Sequence, residues 1–364
     1  MENKPQFLKV EGDQAHFLRI GQLVKDGLKN QPQNNLPHSH RKILFLPLLY
    51  FSFFALGLYF HSNAPAMVAA YACMGITGIL MFLNLFHEAT HGLLLRSKKA
   101  NRLFLYLFDL MGPNSFIWIK RHNKLHHNYP NILGLDSDIE QSGPLQIFPH
   151  QHPEKYNRMQ HIYVFLLYPL YLFNWIFIRD FRDFFQRGRV VDMFHPIQPV
   201  EYVKLFLFKG AYVGYTILLP IIIGVPVWQA LISLMALTVT GSVFSLLVLL
   251  TPHVNAENEF PEILPGRKIN SSWFIHQLTT TNDVSFGGWL PGSLMGNFHC
   301  HVAHHLFPNI SYRHAPLVTQ ILEKYARENG LPYRRYGLIE SLRLHYKLVK
   351  QNAVNAAEIF SGDL

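Results

Sequence analysis

A chain of 364 residues with 49% hydrophobic and 14% aromatic content, but only 15% charged, carries more apolar surface than a soluble fold of this size buries, so a membrane protein is expected. The net charge of +9 suits a protein held against anionic lipid on its cytoplasmic side, and nucleic acid is not an expected partner. Cys73 lies in an apolar run and Cys300 among histidines, which excludes a disulfide framework and a C-x-x-C pair.

Residues 1–42 are polar, show no cleavable-signal or transit-peptide pattern, and read as a cytosolic N-terminal segment, with the mature chain starting near Met1. The charge-free run "ILFLPLLYFSFFALGLYF" (43–60) would reach about 27 Å as a helix at about 1.5 Å per residue, enough to span a hydrocarbon core. A short turn at His61-Ser62-Asn63 leads into "APAMVAAYACMGITGILMFLNLF" (64–86), so the two form a helical hairpin. His40, Arg41 and Lys42 place the N-terminus inside, and the chain returns to the cytoplasm where His87 begins. Residues 103–119, interrupted by Asp109 and by Gly112-Pro113-Asn114, read as a surface segment. Residues 162–178 have a spanning length but contain Pro169 and Asn174. If they crossed, the arginine-rich stretch 179–189 would lie outside and His253 would end opposite His87, so they read as an interfacial or re-entrant helix.

A second hairpin comes at 204–224 and 226–250, broken by Gly224 and Pro226, with Lys209 near enough to one end to snorkel. From Pro316 the chain turns soluble, with one helix ending near Gly330 and a basic one carrying Arg343, Lys347 and Lys350. The expected fold is therefore an all-α integral membrane protein. It has four transmembrane helices in two hairpins, one or two interfacial helices and a cytosolic helical cap. A single domain covers 43–350 and a tail covers 351–364.

Of 21 histidines, nine stand at the cytoplasmic ends of the apolar runs: His87 and His91, four apart on one helix face; His122, His126 and His127 in "RHNKLHHN"; His253, three residues past the last span; and His301, His304 and His305 in "HVAHH". Imidazole binds Zn, Cu, Ni or Fe, so ligand type leaves the metal open. Ligand number favours two metals, because one tetrahedral zinc takes only three or four protein ligands. "FHEATHG" also matches the H-E-x-x-H spacing of zinc proteases, in which Glu88 would activate water. Seven clustered histidines would be left over, so Glu88 is expected instead to orient a ligand imidazole, as are Asp136 and Asp138.

The three clusters "HEATH", "HNKLHH" with the following "NYPNILGLDSDI", and "HVAHHLFPNIS" resemble the histidine boxes of membrane fatty acid desaturases. "PHVNAENEFPE" and "WFIHQLTTTN" are similar to segments of the acyl-CoA or linoleoyl-CoA desaturase-like group that includes the front-end desaturases, and the likeness runs from about residue 80 to 350. It implies a centre of two non-haem Fe ions held by the nine histidines. That centre would use O2 and two electrons to place a cis double bond in a fatty acyl-CoA or acyl-lipid. It also implies that Trp118 lines the acyl tunnel, and that Trp273 and Gln277 belong to the motif before the third box, as substrate-side residues.

His301 stands where the front-end group usually has Gln, which bears on double-bond position. "HPIQ" (195–198) lacks the glycines of a fused cytochrome's H-P-G-G, so electrons are expected from a separate ferredoxin, or from a b-type cytochrome with its reductase. The expected location is a bacterial plasma membrane, or endoplasmic reticulum in a eukaryote, with the active site on the cytoplasmic face. A lipid or carotenoid hydroxylase or ketolase is the nearest alternative, and a membrane metal transporter is one of another class. Arg121, Lys124 and Arg267 are candidates to meet a coenzyme A phosphate or a lipid head group.

Overall fold

The structure, a computed structural model, describes residues 4–30, 39–139, 144–188, 196–286, 292 and 294–360; His195 of the "HPIQ" stretch lies outside them. It is mostly helical, and the chain divides into two compact units. The polar unit comprises Met1–Pro37, Arg121–Val164 and Val248–Leu364, and the apolar unit His38–Lys120 and Phe165–Leu247. Among the described residues five helices are long and apolar enough to cross a membrane: Arg41–Tyr59, Ala64–Thr90, Lys155–Phe185, Pro199–Ile222 and Val227–Leu249.

In the apolar unit Asn63 starts the second helix of the first hairpin by accepting from Ala66 N, with Pro65 just inside. That helix crosses Val227–Leu249 at a glycine pair. A Cβ on Gly75 would overlap the Leu237 carbonyl, and one on Gly241 would press on Gly75 O, so only glycine lets the backbones approach this far. Thr240 Oγ1 uses the approach to donate to Ala72 O at 2.9 Å. Tyr71 donates to Thr216 O, and the Tyr50 and Tyr215 hydroxyls meet at 3.0 Å, which ties in the Pro199–Ile222 helix through bonds that lipid cannot replace.

Two helices depart from the sequence expectation. The second span does not stop at residue 86; it runs to Thr90, so His87 belongs to its last turn. The segment around 162–178 is a chain of short pieces, with Pro169 inside a 3-10 turn (Tyr168–Leu170) because proline cannot donate the bond an α-helix needs there. Lys209 does not snorkel. It is buried, and Nζ donates to Gly112 O, Ile176 O and Asp180 Oδ2. An ammonium far from water is held where three acceptors replace its hydration.

π-helical turns recur at Phe82–Phe86, His122–His126, Trp175–Arg179 and Gly214–Leu218, against well under 1% of residues in ordinary proteins. Each adds one residue to a helix and rotates the side chains beyond it. Two of them sit at histidine clusters.

The polar unit has a core behind the third cluster. Ile20 and Val24 of the Glu11–Lys29 helix pack with Phe274, Leu278, Val302, Ala303, Leu306, Val318 and Leu322. The N-terminal stretch, which hydropathy alone left as a polar segment, is thus an amphipathic helix that builds the core. It is anchored by the parallel pairing of Gln6–Phe7 with Lys268–Ile269 and by Phe7 stacked on Tyr129 at 5.7 Å. The basic C-terminal helix continues past residue 350 to Phe360, where Asn352 donates to Gln146 O and Ile147 O.

Candidate metal centre

The His301–Leu306 helix turns Val302, Ala303 and Leu306 into the core, which leaves His301, His304 and His305 on its other side. Its start is fixed by Asp283, whose Oδ1 accepts from Val302 N at 2.7 Å while Oδ2 accepts from the Tyr333 hydroxyl at 2.6 Å. Burial pushes the Asp283 carboxyl up to about 6 despite those donors. The π turn His122–His126 brings His122, His126 and His127 to the same place, and His253 arrives from the turn after the last apolar helix.

The polar unit therefore gathers seven of the nine expected histidines. The ligand atoms of His126, His253, His301 and His305 all lie within 4.8 Å of one another. His127 stands against both His304 and His305, each at 4.6 Å between ring centroids, and His122 against His127 at 4.6 Å. In the apolar unit His87 and His91 have centroids 5.0 Å apart at the end of the second span, and Glu88 is buried beside them.

Four of the imidazoles are held from outside by their Nδ1 atoms. His126 Nδ1 meets Asp136 Oδ1 at 2.9 Å, His122 Nδ1 meets Asp138 Oδ2 at 2.8 Å, His305 Nδ1 meets Gln277 Oε1 at 3.0 Å and His253 Nδ1 meets Thr280 O at 3.2 Å. An acceptor on Nδ1 puts the proton there and leaves the Nε2 lone pair for a metal. The Nε2 atoms point inward: those of His253 and His301 are 2.6 Å apart, and that of His305 is buried with no hydrogen-bond partner among the described residues. Facing lone pairs repel unless a proton or a metal ion lies between them. Burial, with the charge of neighbouring imidazoles behind it, holds His253 and His305 well below the ordinary histidine pKa, which disfavours the proton. The donor set fits a divalent transition metal. At His126 burial also opposes the charge, but Asp136 and Asp138 outweigh it and the pKa is raised, which fits a basic ligand nitrogen.

The remaining candidates take varied places. Trp118 is buried against Phe82 at 5.4 Å and Trp175 at 5.3 Å. Trp273 packs edge-on against Phe17 at 5.3 Å in the core behind the third cluster. Gln277 bridges two of the clustered histidines, accepting from His305 and donating to His127 O. Arg121 is not available to a phosphate: it is almost wholly buried, 3.4 Å from Asp138, while Lys124 and Arg267 are exposed. Two contributors escaped the sequence reading. Thr280 acts through its carbonyl. Asn131, at φ 58°, donates its backbone N–H to Asp136 Oδ2 and its side-chain amide to His253 O. The only sequence signal for either was its position inside a quoted motif.

Five helices long and apolar enough to cross a membrane, and a buried cluster of inward-turned imidazoles compatible with a metal site, suggest a membrane protein of the polyhistidine class. The sequence matches the family described as fatty acid desaturase over residues 37–337, and the chain belongs to that family. It is 30% identical to a sn-1 linoleoyl-lipid 6-desaturase of Synechocystis sp. over 84% of this chain and 85% of the relative. It is 27% identical to an acyl-lipid (8-3)-desaturase of Physcomitrium patens over 92% and 71%, and 28% identical to a sn-1 linoleoyl-lipid 6-desaturase of Arthrospira platensis over 75% and 74%. The protein is accordingly a fatty acyl desaturase, an oxidoreductase.

Proposed function

We propose that the enzyme introduces a cis double bond into the acyl chain of a membrane lipid, using O2 and two electrons from a separate ferredoxin or b-type cytochrome, at a pair of iron ions. The observation that carries this is the set of four Nδ1-anchored imidazoles, three of which (His126, His253 and His305) bring their ligand atoms within 4.8 Å of one another and of His301, together with the acyl-lipid substrates of the named relatives. His122, His126, His127, His253, His301, His304 and His305 would hold the metals. His87 and His91 join them on the sequence pattern. When bound, the iron pair supplies the oxidising power that an unactivated C–H bond requires and that no side-chain acid or base provides.

The chain's own residues do the rest. Asp136, Asp138, Gln277 and Thr280 hold protons on Nδ1 and fix each ring's orientation. Burial of His126, His253, His301 and His305 keeps water from the cage. An acyl chain offers no polar handle, so the site of reaction is set by proximity and orientation along apolar walls. Four spans with both termini cytoplasmic, and Lys155–Phe185 lying at the interface, accommodate this arrangement. Asp180 and Asp183, buried near that segment's end, suit an interface better than the hydrocarbon centre.

The test is fatty-acid methyl ester profiling of a host with known lipids, fed linoleate, with and without the protein. A new, more unsaturated species is expected, and it should vanish in His253→Ala and His305→Ala. A product that has gained oxygen would mark a hydroxylase instead, and an unchanged profile would overturn the reading.

A further inference from the structure

Lys209 is an ionisable residue in an apolar helix, and such a residue is costly unless it serves a purpose. Its ammonium joins two segments through three acceptors, two backbone carbonyls and one carboxylate oxygen. Gly112 O belongs to the turn before the helix that carries Trp118. Ile176 O lies in the π turn that carries Trp175, and Asp180 Oδ2 comes just after that turn. Gly112, at φ 107°, lies so close to Ile176 that an added Cβ would stand 3.0 Å from its side chain. The two segments that this clamp draws together present Trp118 and Trp175 to one another at 5.3 Å, and both rings meet Phe82, at 5.4 and 6.2 Å. Phe82 in turn packs against the ring of His87 at 6.2 Å. A buried aromatic wall thus leads to the first histidine pair, and a charged clamp fixes its two tryptophans.

We propose that Lys209, through Asp180 and the Gly112 and Ile176 carbonyls, is a positioning residue that sets the register of the acyl chain by locking the Trp118–Trp175 wall. This rests on the desaturase reading above. An acyl chain laid along this wall would slide in steps of one methylene, with no polar contact to correct a slip. Rigid placement of the rings is what discriminates one methylene pair from the next.

The experiment compares double-bond positions, read by mass spectrometry of derivatised fatty acids, in hosts expressing the wild type, Lys209→Met/Asp180→Leu, Asp180→Asn and Tyr71→Phe. The double variant removes the clamp without leaving a lone buried charge. The ratio of minor to major positional isomer is expected to rise about tenfold, equal to about 1.4 kcal/mol of lost discrimination. Asp180→Asn, which keeps volume and an acceptor, should move the ratio in the same direction by less, and it decides the matter if the double variant does not accumulate. Tyr71→Phe breaks a comparable buried bond to Thr216 O elsewhere in the unit and should leave the ratio unchanged. An unchanged ratio in the clamp variants, or an equal shift in Tyr71→Phe, overturns the inference alone. A wild type that makes no new unsaturated acid overturns the functional reading and the inference together.

Discussion

Asp136 uses both oxygens: Oδ1 holds His126 Nδ1 and accepts from Asp138 N, and Oδ2 accepts from Asn131 N. Replacing it by Asn keeps the shape but removes the charge that favours a basic imidazole, so affinity for the proposed iron should fall about 10–100-fold. Metal content after dialysis against graded chelator measures this, and an Asp136→Asn protein that retains iron like the wild type would refute it. His345 makes a different prediction. Burial lowers its pKa to about 4, even though Nδ1 donates to Val254 O at 2.7 Å. The unfolded chain takes up this proton near pH 6.5, the folded one only near 4. Stability linked to this residue is complete above about pH 6.5 and is lost as pH falls towards 4, by roughly 3 kcal/mol. His345→Leu should flatten the fall in melting temperature over that window. At this scale the clustered histidines were legible because imidazoles at spacings of three and four stand out along the chain, and the structure gathers seven of them within the polar unit. Thr280 was not, because every residue has a carbonyl, and Gln277 gave no sign that it would face His305 rather than the substrate.

Among the elements, long apolar helices were readable wherever a predominantly apolar run met the length requirement, as in residues 43–60, 64–86, 204–224 and 226–250, and Lys155–Phe185 meets the same requirement. The π turns were invisible, since no residue type signals one added residue. They matter all the same: the turn Phe82–Phe86 sets the azimuth at which His87 and His91 leave the helix. Deleting Leu83 should restore a plain α-helix, undo the local widening of the backbone just before His87 and abolish desaturation. Wild-type product from that deletion would show the turn to be incidental. The Gly75–Gly241 crossing also depends on backbone approach. Gly75→Val should cost about 3 kcal/mol or more through overpacking, seen as early aggregation of the detergent-solubilised protein on heating. Lys209 was misjudged from hydropathy because its partner Asp180 lies 29 residues earlier. Lys209→Met alone should destabilise by about 3–5 kcal/mol, since it strands a buried carboxylate.

For the whole molecule, the proposed four-span path puts the loop at Ser62 outside and Lys324, with a side chain 78% exposed, inside. Ser62→Cys should therefore react with an impermeant maleimide in intact cells, and Lys324→Cys only after permeabilisation. Crossing by Lys155–Phe185 would reverse the second result. The same scale holds a consequence of how the polar unit is assembled. It is stitched from an opening stretch, a middle one and everything after Val248, so its first pieces leave the ribosome long before their partners exist. His122, His126 and His127 must wait for His301, His304 and His305, about half the chain later. Completion of the histidine cluster is thus an event that comes after most of the chain is made, and until the final hundred residues emerge the nascent polypeptide keeps an open, half-furnished socket.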